Sequence, residues 1–294
     1  MFNWIPGNGV IAFPGLGIEI DPYRGFMLFG KFSIHFYGLI IGIGLILAVT
    51  YGLRRSRQFG LKQDDILDGV LCIVPIAILC ARLYYVAFKW DSFKNDLPSI
   101  IAIWEGGLAI YGGVIGAAIS VVVFCKIKKV RLGAVLDLVA LGFLIGQSIG
   151  RWGNFFNREA YGAMTDSFLR MGLMLNPDGR PVTEMQFYHP TFLYESLWNA
   201  AGFVALHFLS KKRQYDGQIA LGYVAWYGLG RTLIEGLRTD SLYLGPFRVS
   251  QLLAAVSCIV AVTVLIVQCF RRHDRAALFV NRVAVQEEPP QAEE

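Results

Sequence analysis

Long apolar runs, each near the length that a helix needs to cross a lipid bilayer, recur along the 294 residues of this chain. A hydrocarbon core of about 30 Å takes about 20 helical residues, because each residue advances the helix by about 1.5 Å. A chain that is 55% hydrophobic and 17% charged is also too apolar for a water-soluble domain of this size. Seven runs qualify, at 33–52, 66–88, 108–125, 134–150, 191–209, 217–236 and 249–270. The sequence therefore predicts an all-α integral membrane protein with seven transmembrane helices.

Basic residues follow the first, third, fifth and seventh runs, and they predict the orientation of the chain. They are Arg54, Arg55, Arg57 and Lys62, then Lys126, Lys128, Lys129 and Arg131, then Lys211, Lys212 and Arg213, and finally Arg271, Arg272 and Arg275. Such clusters stay on the cytoplasmic side, so the N-terminus is expected outside and the C-terminus inside. The net charge of +5 is split among these loops instead of striping one face, which argues against a nucleic-acid partner.

Three segments lie outside the apolar helices of the domain at 33–270. Residues 1–32 are expected to form an external lead-in. Residues 271–294 are expected to form a disordered cytoplasmic tail, whose last residues read QEEPPQAEE. The connection at 151–190 is much longer than the roughly 2 to 8 residues usual between bundled helices. It is therefore expected to form a small external head between helices 4 and 5. Within the head, the Asn-Pro-Asp-Gly sequence at 176–179 predicts a turn and a short hairpin.

Glycine spacing predicts close helix packing in the fourth run. There, one glycine recurs at every fourth position: Gly142, Gly146 and Gly150. In the third run, Gly112, Gly113 and Gly116 either admit another helix or leave room for a ligand, and both interpretations stay open. The five cysteines lack the spacing of metal or redox motifs, so no metal site and no cofactor are predicted.

Polar side chains gather near the external ends of the predicted helices. A charged side chain at the centre of a membrane costs about 2.5 to 3.5 kcal/mol, so each one needs a partner or a function. The residues that converge on this side are Tyr37, Tyr111, Arg151, Asn154, His189, Arg231 and Arg238. Four others, Arg82, Glu105, Asp137 and Glu195, are interpreted as internal structural partners. The sequence thus predicts one polar site at the outer side of the membrane.

The sixth run places its polar residues on one helical face. Tyr227, Arg231, Glu235 and Arg238 fall within about 80° of one another at 100° per residue. Two arginines beside a tyrosine predict a pocket for an anion, whereas the alternative is that both arginines merely pair with Glu235. Arginine suits phosphate because its planar guanidinium donates paired hydrogen bonds and stays charged. A phospholipid phosphate is therefore the favoured ligand, although structural pairing with glutamates would give a similar sequence.

Several motifs carry a resemblance to a known family. Residues 150–162, GRWGNFFNREAYG, are similar to the signature of the bacterial prolipoprotein diacylglyceryl transferases. The resemblance extends over 18–270, with WEGGLAIYGGVIG at 104–116, HPTFLYES at 189–196, YGLGRTLIEGLRTD at 227–240 and a Tyr-Gly pair at 37–38. It implies an enzyme of the bacterial cytoplasmic (inner) membrane with its active site on the periplasmic side. Its expected partners are phosphatidylglycerol, the prolipoprotein signal peptide with its lipobox cysteine, and membrane lipids.

The reaction implied by the resemblance is transfer of the diacylglyceryl group from phosphatidylglycerol to the lipobox cysteine thiol, with release of glycerol 1-phosphate. We assign catalytic roles to Arg151, Arg231, Tyr111 and His189. We assign substrate binding to Tyr37, Asn154, Glu159, Gly162, Tyr227, Arg238 and Gly112. A positive pocket would raise the thiolate fraction of the attacking cysteine and stabilise the departing phosphate.

The chain departs from many family members at Tyr111, where they have a histidine that is often proposed as the base. A tyrosine hydroxyl is a poor base at neutral pH unless nearby arginines lower its pKa. Tyr111 is therefore interpreted as a hydrogen-bonding or positioning group, with His189 or bulk water as the proton acceptor.

Two other classes of seven-helix protein were compared with this pattern. A transporter or channel for an anionic solute also uses intramembrane arginines, but its polar residues line a whole path, whereas here they crowd one end. A retinal protein needs a Schiff-base lysine, and the seventh run at 249–270 contains none. The transporter is thus the remaining alternative to the enzyme.

Overall fold

The computed structural model describes residues 2–287 apart from 8, 30, 31, 104, 105, 177, 178, 240–242, 245 and 246. Over these residues the chain is mostly helical. The helices are α1 (Phe36–Arg55), α2 (Gln63–Phe88), α3 (Trp90–Phe93), α4 (Ile110–Lys128), α5 (Leu132–Asn157), α6 (Thr191–Ser210), α7 (Gln218–Glu235), α8 (Val249–Cys269) and α9 (Phe279–Glu287). Each of the seven apolar runs corresponds to one helix.

Five of these helices are long and apolar enough to cross a membrane: α1 with the turn that follows it, α2, α4, α5 and α8. This confirms the prediction of a mostly helical integral membrane protein. Helices α6 and α7 coincide with the fifth and sixth predicted spans, but they are not among these five. The count of seven spans and their orientation stay predictions.

Small antiparallel sheets accompany the helices. Their strands are β1 (Phe2–Ile5), β2 (Ile11–Phe13), β3 (Ile18–Ile20), β4 (Gly25–Leu28), β5 (Phe32–His35), β6 (Met171–Leu175), β7 (Pro181–Tyr188), β8 (Tyr243–Leu244) and β9 (Phe247–Arg248). They pair in the orders β1-β4-β5, β3-β2-β6-β7 and β8-β9. The β6 and β7 pairing confirms the hairpin predicted in the head. Two residues of its predicted turn, Pro177 and Asp178, lie outside the described residues.

The chain divides into two compact units. The first contains Met1–Thr50, Val139–Gln214 and Gln218–His273, and the second contains Tyr51–Leu138, Tyr215–Gly217 and Asp274–Glu294.

In the first unit, the lead-in and the head form one structure. Strand β2 pairs with β6 at Ala12 and Gly172. Ile11, Leu173 and Tyr188 are fully buried in the core that results. The sequence predicts the lead-in and the head as separate segments, because a pairing between residues so distant in sequence leaves no local signal.

Helix α5 runs further than its apolar run predicts, and it packs closely against α1. The helix continues to Asn157, so the head begins after this residue and not at 151. The cause is that backbone hydrogen bonds, which hold a helix together, do not require apolar side chains. A Cβ atom at Gly146 would meet open space, whereas one at Gly150 would lie 3.1 Å from Ile41 Cδ1 and one at Gly44 would lie 3.4 Å from the Gly146 carbonyl oxygen. The close packing predicted for the α5 glycines is therefore confirmed at Gly150, whereas at Gly146 the backbone lies near Gly44 but a side chain would have room.

In the second unit, α2 and α4 pack through glycines of α4. A Cβ atom at Gly112 would lie 2.5 Å from the Cys80 carbonyl oxygen, and one at Gly116 would lie 2.5 Å from Cys80 Cβ. Of the two interpretations of these glycines, helix packing is the one that the contacts support. Asp137 accepts a hydrogen bond from the Gly217 backbone at 2.9 Å, in agreement with its predicted structural role.

The C-terminal tail corrects a prediction of disorder. Helix α9 covers Phe279–Glu287 inside the segment expected to be disordered, and Leu278 just before it is buried. The buried Asp216 carboxylate accepts a hydrogen bond from the Phe279 backbone at 2.9 Å and pairs with Arg131 at 3.2 Å. The low apolar content that suggested disorder belongs mostly to residues 288–294, which lie outside the described residues.

Candidate functional site

Three arginines of the first unit converge on one buried carboxylate. Glu195 lies in the second turn of α6 and is 3% exposed. Arg151 on α5 pairs with it at 2.5 Å, and Arg231 on α7 pairs with it at 2.8 Å. Arg238, just after α7, reaches the same carboxylate at 3.5 Å. The predicted convergence of these arginines is therefore present, and the internal role predicted for Glu195 is that of their shared partner.

A second buried carboxylate, Glu235, completes this group. Arg231 pairs with it at 2.5 Å across one helical turn of α7, and Arg248 donates a hydrogen bond to its backbone carbonyl. We name Glu195, Glu235, Arg151, Arg231 and Arg238 the Glu195 cluster. Three guanidinium groups, from α5, α7 and the residues just after α7, therefore lie near one point. Because buried charges are poorly screened, such a group of guanidinium donors can attract an anion.

Asn154 and Glu159 extend the cluster toward the head. Arg151 donates to Asn154 Oδ1 at 3.3 Å, and Asn154 Nδ2 donates in turn to Glu159 Oε1 at 2.9 Å. Asn157 Nδ2 donates to the same oxygen at 3.3 Å. Arg151 and Asn154 are three residues apart on α5, which places their side chains on one face of the helix. The exposed Glu159 carboxylate is thus connected to the buried cluster through one amide side chain.

Gly162 allows three chain segments to meet beside the cluster. Its backbone nitrogen donates to the His189 carbonyl at 2.9 Å, and it forms a bridge with Arg238. A Cβ atom at this position would lie 2.8 Å from both His189 Cβ and the Leu237 carbonyl oxygen. A side chain here would push apart the segments that carry His189 and Arg238. The role of Gly162 visible in the structure is therefore close backbone approach.

Two tyrosines predicted to bind substrate also belong to the first unit. Tyr37, in the first turn of α1, is 38% exposed, and its ring covers Gly153, where a Cβ atom would lie 2.7 Å from the ring. Tyr227 stacks on Tyr223 with ring centroids 5.7 Å apart. Tyr227 lies one turn before Arg231 on α7, as the helical spacing predicted.

His189 is half-buried at the end of the head. Its Nδ1 atom lies 3.4 Å from the Tyr194 hydroxyl, and its backbone joins the Gly162 segment. These contacts hold the imidazole near the start of α6. Its predicted role as a proton acceptor stays a prediction.

Tyr111 and Gly112 lie in the first turn of α4, in the second unit. Tyr111 is 46% exposed, whereas Gly112 is buried against α2. Their predicted participation in the site stays a prediction. Glu105, in the same motif, lies outside the described residues.

Sequence reasoning missed Arg158, although it lies inside the signature. This side chain is buried and pairs with Asp21 at 3.0 Å. Burial lowers the pKa of its guanidinium below the usual value, while the Asp21 carboxylate opposes this shift, and an arginine remains charged. Arg158 also has a positive φ of 53°. This backbone angle marks the residue as unusual in the structure, but the sequence alone does not reveal it.

Comparison with known proteins identifies relatives over most of the chain. The family model described as prolipoprotein diacylglyceryl transferase matches residues 25–267. A phosphatidylglycerol--prolipoprotein diacylglyceryl transferase of Bacillus velezensis is 45% identical over 261 residues, which cover 87% of this chain and 94% of the relative. The proteins of the same name from Listeria monocytogenes serotype 4a and Limosilactobacillus reuteri are each 41% identical, covering 88% and 86% of this chain and 91% and 93% of the relatives.

Proposed function

The chain belongs to the prolipoprotein diacylglyceryl transferase family, and we propose that its Glu195 cluster holds the phosphate of phosphatidylglycerol during transfer. The enzyme is a membrane transferase of lipoprotein biosynthesis that moves a diacylglyceryl group from phosphatidylglycerol to a prolipoprotein. The observation that carries the proposal is the convergence of three guanidinium groups on one buried carboxylate.

The proposed reaction exchanges one bond to the glycerol carbon for another. The cysteine sulfur of the lipobox attacks the diacylglycerol carbon that carries the phosphate ester. The carbon–sulfur bond forms as the carbon–oxygen bond breaks, and glycerol 1-phosphate leaves. The thiol proton passes to His189 or to water. Negative charge grows on the departing phosphate, where guanidinium donors held in place in advance are most effective.

Glu195 supports this role by fixing the donors before the lipid arrives. Arg151 contacts Glu195 and Asn154 through its two terminal nitrogens. Each of these nitrogens carries two N–H groups, so donors remain for a phosphate oxygen. A guanidinium already held by a carboxylate loses little conformational freedom when the lipid binds.

The remaining assignments follow the motifs of the family. We assign substrate binding to Asn154, Glu159 and Gly162, which belong to the signature at 150–162. We assign contacts with the lipid headgroup to Tyr37 and Tyr227. Tyr111 and His189 are assigned catalytic roles. Gly112, the residue after Tyr111, is assigned to substrate binding. The partner is a prolipoprotein signal peptide whose lipobox supplies the cysteine.

We further propose seven membrane spans, with the N-terminus outside, the C-terminus cytoplasmic and the site on the periplasmic side of the bacterial inner membrane. Basic clusters near the ends of α1, α4, α6 and α8 support this orientation. Glu195 on α6 and Arg231 and Glu235 on α7 are the charged side chains within these two helices. Their charges are paired with one another, which reduces the cost of placing them in a membrane.

The direct test is transfer from labelled phosphatidylglycerol to a lipobox peptide by the purified protein. We expect label on the peptide with its cysteine, and none on a matched peptide with serine at that position, because the thiol forms the new bond. Glycerol 1-phosphate should appear in equal molar amount. Labelling of the serine peptide, or phosphate release without peptide labelling, would contradict the proposal.

A further inference from the structure

Arg158 occupies a backbone conformation that favours glycine. Its φ is 53°, in the left-handed region, and it lies between Asn157 at the end of α5 and Glu159. Its side chain is 1% exposed. A long charged residue is retained in a strained and buried position only where its contacts hold it there.

These contacts go to the lead-in. The guanidinium donates twice to the Gly9 carbonyl, at 2.6 and 3.1 Å, and once to the Pro22 carbonyl at 3.1 Å. It also pairs with Asp21 at 3.0 Å. A Cβ atom at Gly7 would collide with its terminal nitrogens, so the lead-in chain wraps closely around this group. The planar fork of arginine suits such divergent acceptors, whereas the single ammonium of lysine does not.

A second arginine ties the same two segments from the opposite direction. Arg24, in the lead-in, donates to the Asn157 carbonyl at 3.1 Å, and its own carbonyl accepts from the Phe36 backbone at 2.8 Å. The turn at 157–159 is therefore anchored on both sides to the segment that leads into α1.

We propose that Arg158 is a positioning residue for diacylglyceryl transfer, which acts by anchoring to the lead-in the turn that carries Glu159. Glu159 accepts hydrogen bonds from Asn154 and Asn157, and Asn154 contacts Arg151 of the Glu195 cluster. Loss of the anchor frees Glu159 and loosens Asn154 beside the cluster. This inference rests on the proposed function of that cluster.

The test uses Arg158→Gly, which removes the guanidinium but suits the positive φ, so that the turn itself is not strained. We expect kcat to fall about 10-fold to 100-fold, as for a misplaced catalytic group, while KM for phosphatidylglycerol changes less than about 2-fold. Arg158→Lys keeps the charge without the fork and should give an intermediate kcat. The matched control is Arg170→Gly, because Arg170 donates only to carbonyls of its own loop, at Asp166 and Ser167, among the described residues. Its kcat should stay within about 2-fold of the starting value.

A double-mutant cycle separates positioning from general stability. If Arg158 acts through Glu159, the double variant Arg158→Gly/Glu159→Gln should have the same kcat as Glu159→Gln alone. Proteolysis of the lead-in should accelerate in Arg158→Gly and not in Arg170→Gly. The inference would be overturned if the kcat losses of the two single variants multiplied in the double variant. It would also be overturned if kcat were unchanged in Arg158→Gly, whether or not KM rose. Should Arg158→Gly fail to fold, the same cycle with Arg158→Lys decides between these results.

Arg151→Ala distinguishes this inference from the proposed site. Retained transfer by Arg151→Ala would contradict the Glu195 cluster itself, whatever Arg158 does. Lost transfer by Arg151→Ala together with normal transfer by Arg158→Gly would overturn the positioning role alone.

Discussion

Arg82 in the second unit and the Glu195 cluster in the first show two uses of buried arginine. Arg82 is 5% exposed and donates to four backbone carbonyls, those of Ser99, Ile100, Gly106 and Gly107, at 2.6 to 3.0 Å. Its bonds hold a loop in place, which agrees with the structural role predicted for it. The arginines of the Glu195 cluster instead share carboxylates of neighbouring helices.

The difference lies in the kind of partner. The carbonyls that Arg82 binds belong to one short stretch of backbone, so Arg82 acts as a fixed link for the residues between α3 and α4. Carboxylates shared between helices instead hold several guanidinium groups near one point. We infer that carboxylate-sharing arginines serve ligand binding here, whereas the carbonyl-bound arginine serves folding.

The largest expected effect comes from Arg151→Lys, which keeps the charge but loses the planar fork. Its kcat for transfer to the lipobox peptide should fall about 100-fold to 1,000-fold, as on removal of a donor to a developing oxyanion. The thermal midpoint of unfolding in detergent should remain close to that of the unchanged protein. A kcat of Arg151→Lys within about 3-fold of that of the unchanged protein would contradict the distinction between ligand-binding and structural arginines.

Glu195→Gln should have the next largest effect, because it releases the partner that three arginines share. We expect transfer to fall about 10-fold to 100-fold as the donors lose their positions. Removing one partner of a buried ion pair should also lower the free energy of unfolding by about 3 to 5 kcal/mol. Unfolding in denaturant checks the stability, and unchanged stability would argue that Glu195 does not hold the cluster together.

Gly162→Ala tests whether close backbone approach keeps Arg238 in the cluster. The added methyl group would lie 2.8 Å from His189 Cβ and from the Leu237 carbonyl, so one of these segments must move. Initial rates should fall about 10-fold, since displacing a substrate-positioning group by a fraction of an ångström impairs transfer. Gly146→Ala, where a Cβ atom would meet open space, is the matched control and should retain the starting rate.

The smallest effect on chemistry is expected for Arg82→Lys, the same substitution made in the other region. Transfer per folded molecule should stay within about 3-fold, while the free energy of unfolding falls about 1 to 3 kcal/mol because buried carbonyls lose partners. A loss of kcat as large as that of Arg151→Lys, at unchanged stability, would show that the type of partner does not separate the two roles.

Much of the fold could be predicted because run length decides where membrane helices form. Helix α6, Thr191–Ser210, begins where its apolar run was placed and ends one residue later. The end of α5 was missed, since Arg151, Asn154 and Asn157 interrupt the apolar run where the helix continues. The pairing of Ala12 with Gly172 was missed for a different reason, because it joins residues far apart in the sequence.

The site was partly predictable for a similar reason. Arg231 and Glu235 share a face of α7, and helical spacing alone brings them together. Glu195 was recognised as a structural partner, but its contact with Arg151 depends on how α5 and α6 pack, which local patterns do not report. The Arg158 contacts likewise depend on the fold of the lead-in.

Binding of phosphatidylglycerol tests the central claim most directly, because it isolates the phosphate site from the transfer step. The measurement is the Kd of the lipid in detergent for the unchanged protein, Arg151→Gln and Arg82→Gln, each confirmed as folded. Loss of a charge-assisted contact should weaken binding by Arg151→Gln about 10-fold to 100-fold, and Arg82→Gln should stay within about 2-fold. Equal affinity of all three proteins for the lipid would contradict the assignment of the Glu195 cluster to the phosphate.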